Sequence, residues 1–372
     1  MPAPFDLSPL LQIMLLGVLL ALLPLLWVGY RQRRGNPMPW VRALTLLTLF
    51  LTFDLILFGA FTRLTDSGLG CPDWPGCYGN ASPLGAGADI ALAQSAMPSG
   101  PVTQGKAWVE MVHRYLATSV GVLILVLTAA AWWRRWQART IALHRSNSPW
   151  LPTLTLAWVC LQGAFGALTV TMKLFPAIVT LHLLTGLLLL SLLCLQWVHS
   201  EKRDAAAARV AVGPGMRRLL WLTVAALLLQ LALGAWVSTN YAVLACTDFP
   251  RCQNSWWPLM DFQQGFELWR ELGFTAGREV INFAALTAIH YLHRLAADLV
   301  LALLALLAWR LNAVPGLRQA SRWMALLTGL QLATGVANVV FNWPMLAAVL
   351  HTGGAAALLL VMTWTLASSR AK

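Results

Sequence analysis

The chain has 372 residues, of which 58% are hydrophobic and only 11% are charged, and its mean hydropathy is +0.66. This composition excludes an ordinary water-soluble protein, in which about 25% of the residues are charged. The formal net charge is +12. Because the basic residues stand beside apolar segments, we expect them to orient the chain in a lipid bilayer and not to bind nucleic acid.

Nine apolar segments are long enough to cross a hydrocarbon core of about 30 Å, which takes roughly 20 helical residues. A backbone inside lipid must satisfy its own hydrogen bonds, so the predicted fold class is all-α, a polytopic membrane protein. The first segment lacks a basic leader and a small-residue cleavage pattern, which favours an uncleaved helix. The nine segments are Leu10–Val28, Val41–Thr62, Trp108–Trp133, Trp150–Val170, Ala177–Val198, Leu219–Val237, Ile281–Trp309, Trp323–Val340 and Met345–Leu366.

Basic residues mark the predicted cytoplasmic loops, because Lys and Arg are enriched on that side of a membrane. The intervening loops hold most of the acids, Asp73 and Asp248 among them. Both sets fit nine helices with the N-terminus outside and the C-terminus in the cytoplasm. The basic residues of these loops include Arg31, Arg33, Arg34, Arg134, Arg135, Arg217, Arg218, Arg310, Arg318 and Arg370.

Four of the six cysteines form matched pairs in the two longest outward loops, Cys71 with Cys77 and Cys246 with Cys252. One interpretation is a disulfide staple that contributes roughly 2 kcal/mol. The other is an exposed disulfide that exchanges electrons with a partner. A zinc site is not expected, because neither loop contains a histidine. The remaining cysteines lie within predicted helices, where we expect inert packing residues: Cys160 and Cys194.

The sequence contains an internal repeat. Gly59 recurs as Gly234 at an offset of 175, and the cysteine pairs keep that offset. Further matches at offsets of 180 and 169 are His113-Arg114 with His293-Arg294, and Gln162, Gly166 and His182 with Gln331, Gly335 and His351. We therefore predict two tandem four-helix bundles related by a pseudo-two-fold axis, preceded by one extra helix. The predicted domains are 1–40 for the extra helix, 41–199, a cytoplasmic linker at 200–218, and 219–372.

The repeat preserves one histidine on the second helix and one on the fourth helix of each half: His113 and His182, then His293 and His351. The helical rise places them at a similar depth, about 9 Å below the outer surface. Helices with histidines at equal depth can clamp a planar metal macrocycle, so we predict that each half binds a haem. The alternative for a single intramembrane histidine is a polar contact between helices or part of a proton path.

Two arginines directly follow the predicted ligands of the second helices. Arg114 and Arg294 are placed to pair with haem propionates, and the alternative is snorkelling toward lipid headgroups. Asp298, four residues after Arg294, is placed to neutralise it. The sequence leaves the role of the intramembrane Asp54 open.

The two halves differ in one acid. Glu110 precedes His113 by three residues and shares its helical face, whereas the matching residue of the second half is His290. A carboxylate beside a haem edge can move protons, which a haem that only transfers electrons does not need. The alternative is an interfacial glutamate that faces water at the start of the helix.

Four segments together resemble the haem A synthase family: GAFTRLTDSGLGCPDWPGCYG at Gly59–Gly79, EMVHR at Glu110–Arg114, HLLTG from His182, and IHYLHR ending at Arg294. The resemblance covers the chain from about Val41 onward, so the first helix exceeds the usual eight-helix core. Enzymes of this family oxidise a ring methyl of haem O to a formyl group, giving the haem A of terminal oxidases.

The resemblance implies an oxidoreductase with two different haem sites. His293 and His351 would hold a resident haem b, and His113 and His182 would bind the substrate haem, with Glu110 essential for the oxidation. A Cys71–Cys77 disulfide would assist catalysis or haem handover, and a Cys246–Cys252 disulfide would be mainly structural.

The resemblance also implies a bacterial cytoplasmic (inner) membrane and, as candidate partners, haem O synthase and cytochrome oxidase assembly factors. The sequence leaves open whether the chain forms a homo-oligomer, and which electron donor or acceptor it uses. Two alternatives remain: a transmembrane di-haem electron-transfer cytochrome, and a haem carrier or exporter.

Overall fold

The computed structural model describes residues 8–35, 37–140, 148–204 and 209–371, and most of them are helical. The all-α fold class is confirmed. Within the described ranges, nine helices are long and apolar enough to cross a membrane, and each contains one of the nine predicted segments or nearly all of it. The elements in chain order are α1 (Ser8–Arg33), α2 (Trp40–Leu64), α3 (Gly87–Ala96), α4 (Gln104–Thr140), α5 (Trp150–Thr171), α6 (Pro176–Asp204), β1 (Val210–Val212), α7 (Pro214–Thr239), α8 (Phe262–Gly265), α9 (Phe283–Asn312), α10 (Arg318–Val340), α11 (Met345–Ser368) and β2 (Ser369–Ala371).

Several short elements lie outside the predicted spans. The helix α3 lies in the connection between α2 and α4, and α8 and a 3₁₀ turn at Ala242–Ala245 lie in the connection between α7 and α9. The strands β1 and β2 pair in parallel, with Val210 opposite Ser369. Helix α4 continues seven residues past the predicted end at Trp133, because Arg and Gln are good helix formers once the chain has left the apolar segment.

The described chain divides into two compact units, Met1–Lys173 with Leu188–Asp204, and Leu174–Leu187 with Ala205–Lys372. Helix α6 thus belongs to both. The predicted domain boundaries remain a prediction, and residues 205–208 of the predicted linker lie outside the described residues.

The second unit contains a closed ring of four helices. Helix α7 packs on α9, α9 on α10, α10 on α11, and α11 on α7. This order places α9 and α11 diagonally opposite each other. Helix α9 starts at a cap in which the Asn282 side chain accepts a hydrogen bond from the backbone N–H of Ala285 at 2.7 Å.

The first unit contains α2, α4, α5 and the inner part of α6, with α1 outside them. Helix α4 packs on α1, α2 and α5, and the Gln196 side chain of α6 donates to Thr155 of α5 at 2.6 Å. Gly17 permits close approach of α1, because a side-chain carbon there would lie 2.4 Å from the Thr118 methyl group on α4. Buried Ala21 and Val28 of α1 complete a core cluster with α2 and α4.

Candidate functional site

His351 lies in the second turn of α11, and a neighbouring hydroxyl fixes its ring. Thr334 Oγ1 of α10 is 2.9 Å from His351 Nδ1. The single hydroxyl proton of Thr334 is donated to the Leu330 carbonyl at 2.7 Å, so Oγ1 accepts a proton from Nδ1. The Nε2 atom of His351 then carries the lone pair that a metal needs. The Gln331 side chain also donates to the His351 carbonyl at 2.9 Å.

His293 lies in the third turn of α9 against a glutamine of α7. Gln230 Nε2 is 3.0 Å from His293 Nδ1 and 3.1 Å from the His293 carbonyl oxygen. Gln230 Oε1 is buried and has no hydrogen-bond partner among the described residues. Both contacts are made by the amide nitrogen, which can only donate, so Gln230 holds the ring and the backbone of His293 in place. Since α9 and α11 are diagonal in the ring, His293 and His351 are held by the two helices between them.

Glycines leave room beside three of the four repeated histidines. A side-chain carbon at Gly234 would lie 2.9 Å from the His293 ring, and one at Gly335 would lie 3.4 Å from the His351 ring. In the first unit, a carbon at Gly59 would lie 3.1 Å from Nε2 of His113. The Gly59/Gly234 repeat therefore keeps α2 and α7 close to the histidines of their partner helices.

The first unit holds His113 differently. The Phe58 ring of α2 stacks on the His113 ring, with centroids 6.3 Å apart and an interplanar angle of 9°. His182 lies in the second turn of α6, at the same position in its helix as His351 in α11, and this part of α6 belongs to the second compact unit. All four repeated histidines are half-buried.

The residues of the second unit fit a haem. Two histidines on diagonal helices suffice for axial ligation of a haem iron, and Thr334 fixes the tautomer that ligation by His351 requires. Arg294 Nη1 is buried without a hydrogen-bond partner in the described part of the chain, so it can donate to a propionate. No group of three or more His, Cys, Asp or Glu side chains placed for a bare metal ion occurs in residues 8–35, 37–140, 148–204 and 209–371.

Glu110 is buried, with only 4% of its surface exposed, so the predicted alternative of a water-facing glutamate is wrong. Its Oε2 accepts a hydrogen bond from the backbone N–H of Cys71 at 2.8 Å. Its Oε1 forms an ion pair with Arg114. The acid of the first half is therefore attached to the cysteine loop.

Arg114 and Arg294 each hold one of the two cysteine loops, which are the loops that contain Cys71–Cys77 and Cys246–Cys252. Arg114 Nη1 donates to the carbonyl oxygens of three loop residues. Arg294 Nη2 donates to the carbonyls of Asp248 at 3.0 Å and Pro250 at 3.4 Å. No salt bridge joins Arg294 and Asp298, both of which are described, and the Asp298 carboxylate acts on Arg294 only as a nearby charge. The three carbonyls that Arg114 contacts are those of Asp73, Pro75 and Gly76.

Both predicted cysteine pairs are disulfides, Cys71–Cys77 and Cys246–Cys252. Each cysteine is at most 1% exposed. The burial of these cysteines contradicts the interpretation as an exposed disulfide that exchanges electrons. It favours the interpretation as a disulfide staple. Ile13 of α1 packs in the same core cluster as Cys71 and Cys77.

The two cysteine loops repeat the same internal contacts. The Asp73 carboxylate accepts from the backbone N–H groups of the two residues after Cys77, at 2.6 and 2.8 Å. The Asp248 carboxylate accepts from those of Gln253 and Asn254, at 2.6 and 3.0 Å. Partial desolvation opposes ionisation of Asp248, but these N–H groups and the nearby Arg294 outweigh it and hold the pKa of this carboxyl below its usual range.

Other predicted residues lie away from these contacts. Asp54 is exposed on α2. His290 is buried, and its Nδ1 has no hydrogen-bond partner among the residues that the structure describes. Cys194 is buried as expected, whereas Cys160 is exposed on α5 and does not pack in a core.

The residues that the sequence analysis missed are Gln230 and Thr334. Thr334 directly precedes Gly335, and Gln230 lies one helical turn before Gly234. The repeat had identified both glycines. A signal was present, since Gln230 and Thr334 are polar residues within apolar segments. The repeat also concealed them, because their counterparts in the first half are apolar.

Comparison with known proteins identifies the family of the chain. The COX15-CtaA family, described as cytochrome oxidase assembly protein, matches residues 42–363. A protein of Shewanella oneidensis named heme A synthase is 38% identical over 85% of this chain and 92% of its own length. Proteins of the same name from Methylorubrum populi and Symbiobacterium thermophilum are 30% and 28% identical, over 87% and 84% of this chain and 85% and 90% of their own lengths. The chain belongs to the COX15-CtaA family of cytochrome oxidase assembly proteins.

Proposed function

We propose that this protein is a haem A synthase, a membrane oxidoreductase that converts a ring methyl of haem O into the formyl group of haem A. The observation that carries the proposal is the 38% identity to the Shewanella oneidensis heme A synthase across 92% of that protein. The repeated histidines support it, because a two-haem reaction needs one site for the substrate and one for a resident cofactor.

The second unit is the resident haem b site in this proposal. His293 and His351 would hold the haem iron, and Arg294 Nη1 would donate to a propionate. Haem b would supply one-electron transfer when bound. The helices α7 and α10 bring Gln230 and Thr334 to the two imidazole rings.

On the strength of the sequence repeat, we assign the substrate haem to His113 and His182. Haem O carries an apolar farnesyl tail, so a membrane-embedded enzyme meets its substrate in the bilayer. The half-buried His113 is held by the stacked Phe58 ring and by close packing at Gly59.

Glu110 is the proposed catalytic acid–base residue. Oxidation of a methyl group to a formyl group releases protons, and a buried carboxylate next to the substrate ligand can accept them. Arg114 keeps the carboxylate in place through the ion pair. Because the Arg114 guanidinium already serves Glu110 and three loop carbonyls, we propose that it anchors the loop and not a propionate.

In this proposal, the Cys71–Cys77 bridge also helps to position Glu110. It closes the loop whose backbone N–H contacts Glu110, so it supports catalysis by positioning. We further propose that the protein resides in the cytoplasmic membrane with its N-terminus outside and its C-terminus in the cytoplasm. In that position it receives haem O from the membrane, where haem O synthase and oxidase assembly factors are candidate partners.

The test is expression in a bacterium that makes haem O but no haem A, followed by extraction of the membrane pigments. A formyl haem, identified by mass and by the spectrum of its pyridine complex, is the expected product. A chain that changes redox state without forming the product would be an electron-transfer cytochrome. A chain that binds and releases haem O unchanged would be a carrier, and either result would overturn the proposal.

A further inference from the structure

Two side chains in the second unit contact the imidazole nitrogens that face away from the proposed iron. Thr334 Oγ1 is 2.9 Å from His351 Nδ1, and the amide nitrogen Nε2 of Gln230 is 3.0 Å from His293 Nδ1 and 3.1 Å from the His293 carbonyl oxygen. Thr334 is 6% exposed, so water does not compete for its contact. A group that accepts the Nδ1 proton fixes the ring and makes the opposite nitrogen a stronger metal ligand.

The first half has no equivalent of either side chain. At the offset of 175 that relates Gly59 to Gly234, the counterpart of Gln230 is Leu55. At the offset of 169 that relates Gly166 to Gly335, the counterpart of Thr334 is Phe165. Neither side chain has a hydrogen-bonding group, so neither can supply the bond that its counterpart supplies.

We propose that Thr334 and Gln230 are positioning residues that make the second unit the retaining haem site. Thr334 holds His351 as the Nδ1–H tautomer, which leaves Nε2 for the iron, and Gln230 holds the His293 ring through its amide nitrogen. Leu55 and Phe165 supply neither contact in the first half. This inference rests on the proposed function, because it assigns the resident haem to the second unit.

The expected consequences concern binding and redox potential. An acceptor on Nδ1–H increases electron donation from the ring and favours ferric iron. Removing the acceptor should therefore raise the midpoint potential of the resident haem. Loss of such a partner typically weakens metal binding about 10-fold to 100-fold, so haem should also leave faster.

The experiment uses the full-length protein from a host that makes haem b but no haem O. Thr334→Val removes the hydroxyl at nearly constant volume, and Gln230→Leu installs the residue of the first half. Each purified protein is titrated redox-potentiometrically, and haem loss is timed with an excess of a haem-scavenging apoprotein. We expect a higher midpoint potential for Thr334→Val, and at least about 10-fold faster haem loss for both variants.

Two variants separate this effect from a general loss of packing. Thr334→Ser keeps the hydroxyl and should restore the wild-type potential. Thr328→Val, on the same helix, removes a hydroxyl that donates only to the Met324 carbonyl at 2.7 Å, and it should leave the potential unchanged. A Thr334→Val protein with the wild-type potential and haem loss rate would overturn the inference alone. Wild-type protein that retains no haem would overturn the assignment of the resident cofactor as well.

Discussion

One substitution between the halves changes how an arginine is used. In the first half, the Glu110 carboxylate and the carbonyls of the loop satisfy Arg114. In the second half, His290 replaces the acid, and Arg294 keeps a buried Nη1 with no partner among the described residues. A buried guanidinium N–H without an acceptor costs free energy unless a ligand supplies one. The repeated arginine thus anchors a loop in both halves, and in the second half it also keeps an N–H group that can donate to a propionate.

Glu110→Gln tests the acid at constant shape. The glutamine oxygen can still accept the N–H of Cys71, but the group can no longer take up a proton. We expect the haem content to stay near wild type and the yield of formyl haem to fall by about 10²-fold or more, the range that general base catalysis supplies. Pigment extraction from cells that supply haem O measures both quantities. Unchanged yield would remove Glu110 from the chemistry.

The Asp248 loop should be sensitive to acid. Because the folded-state pKa of Asp248 is lowered, the carboxylate stabilises the loop fully above the ordinary carboxyl pKa of about 4. That stability is lost as the pH falls through the lower folded-state value. The protection factors of the Gln253 and Asn254 amides, which correct for the intrinsic pH dependence of hydrogen exchange, should therefore fall at low pH in the wild type. Asp248→Asn should have lower protection factors at neutral pH with less pH dependence, and identical profiles for the two proteins would contradict this account.

At the scale of helices, glycine contacts set the distance between α7 and α9. Gly234→Ala would place a methyl group 2.9 Å from the His293 ring. Overpacking of this kind typically costs about 1–3 kcal/mol, so we expect a lower melting temperature and reduced haem content. Gly335→Ala, at 3.4 Å from His351, and Gly329→Ala, with no atom within 4 Å, are matched controls that should behave like wild type. Spectra of the purified proteins decide the comparison, and equal haem content in all three variants would count against it.

The membrane helices were predictable because their signal extends over many residues. An apolar run of about 20 residues has few alternatives in lipid, and the repeat confirmed the register of the histidines. The helix α3 and the β1–β2 pair were not predictable in this way. They form in polar connections, where pairing of distant segments such as Val210 and Ser369 decides the conformation and leaves no periodic pattern.

The site was predictable in its residue types and less so in its contacts. Spacing placed Glu110 on the face of His113, but it did not reveal that Cys71 donates to the carboxylate from 39 residues away. The sequence spacing also predicted that Arg114 binds a haem propionate, whereas in the structure its N–H groups contact Glu110 and the carbonyl oxygens of the loop. An internal repeat reveals the residues that the two halves have in common. It did not reveal Thr334, because the matching residue of the first half is Phe165.

At the scale of the whole molecule, the first helix is an addition to the family core, since the family match begins at residue 42. Deleting residues 1–38 leaves eight helices whose orientation the basic loops still determine. Because α1 packs Ile13 against the cluster around Cys71 and Cys77, we expect a several-fold lower yield of haem A with near-normal haem b content. Loss of all bound haem would contradict this restricted role.

Point variants of α1 test its contact with the Cys71–Cys77 loop in the full-length protein. Ile13 is 5% exposed and Leu15 is 61% exposed. Ile13→Ala should speed the reaction of the Cys71–Cys77 bridge with a reductant, and Leu15→Ala should not. Thiol labelling after timed reduction measures the difference, and equal rates would show that α1 does not protect the loop.

The position of α1 also has a consequence for lateral traffic in the bilayer. Its outer face is rich in exposed leucines, including Leu11, Leu19 and Leu26, while its inner face closes the seam between α2 and α4. Under the proposed function, a prenylated substrate that diffuses among the acyl chains would not enter between α2 and α4. Entry and departure on this unit would use its remaining flanks, so the route would have one preferred side in the plane of the membrane.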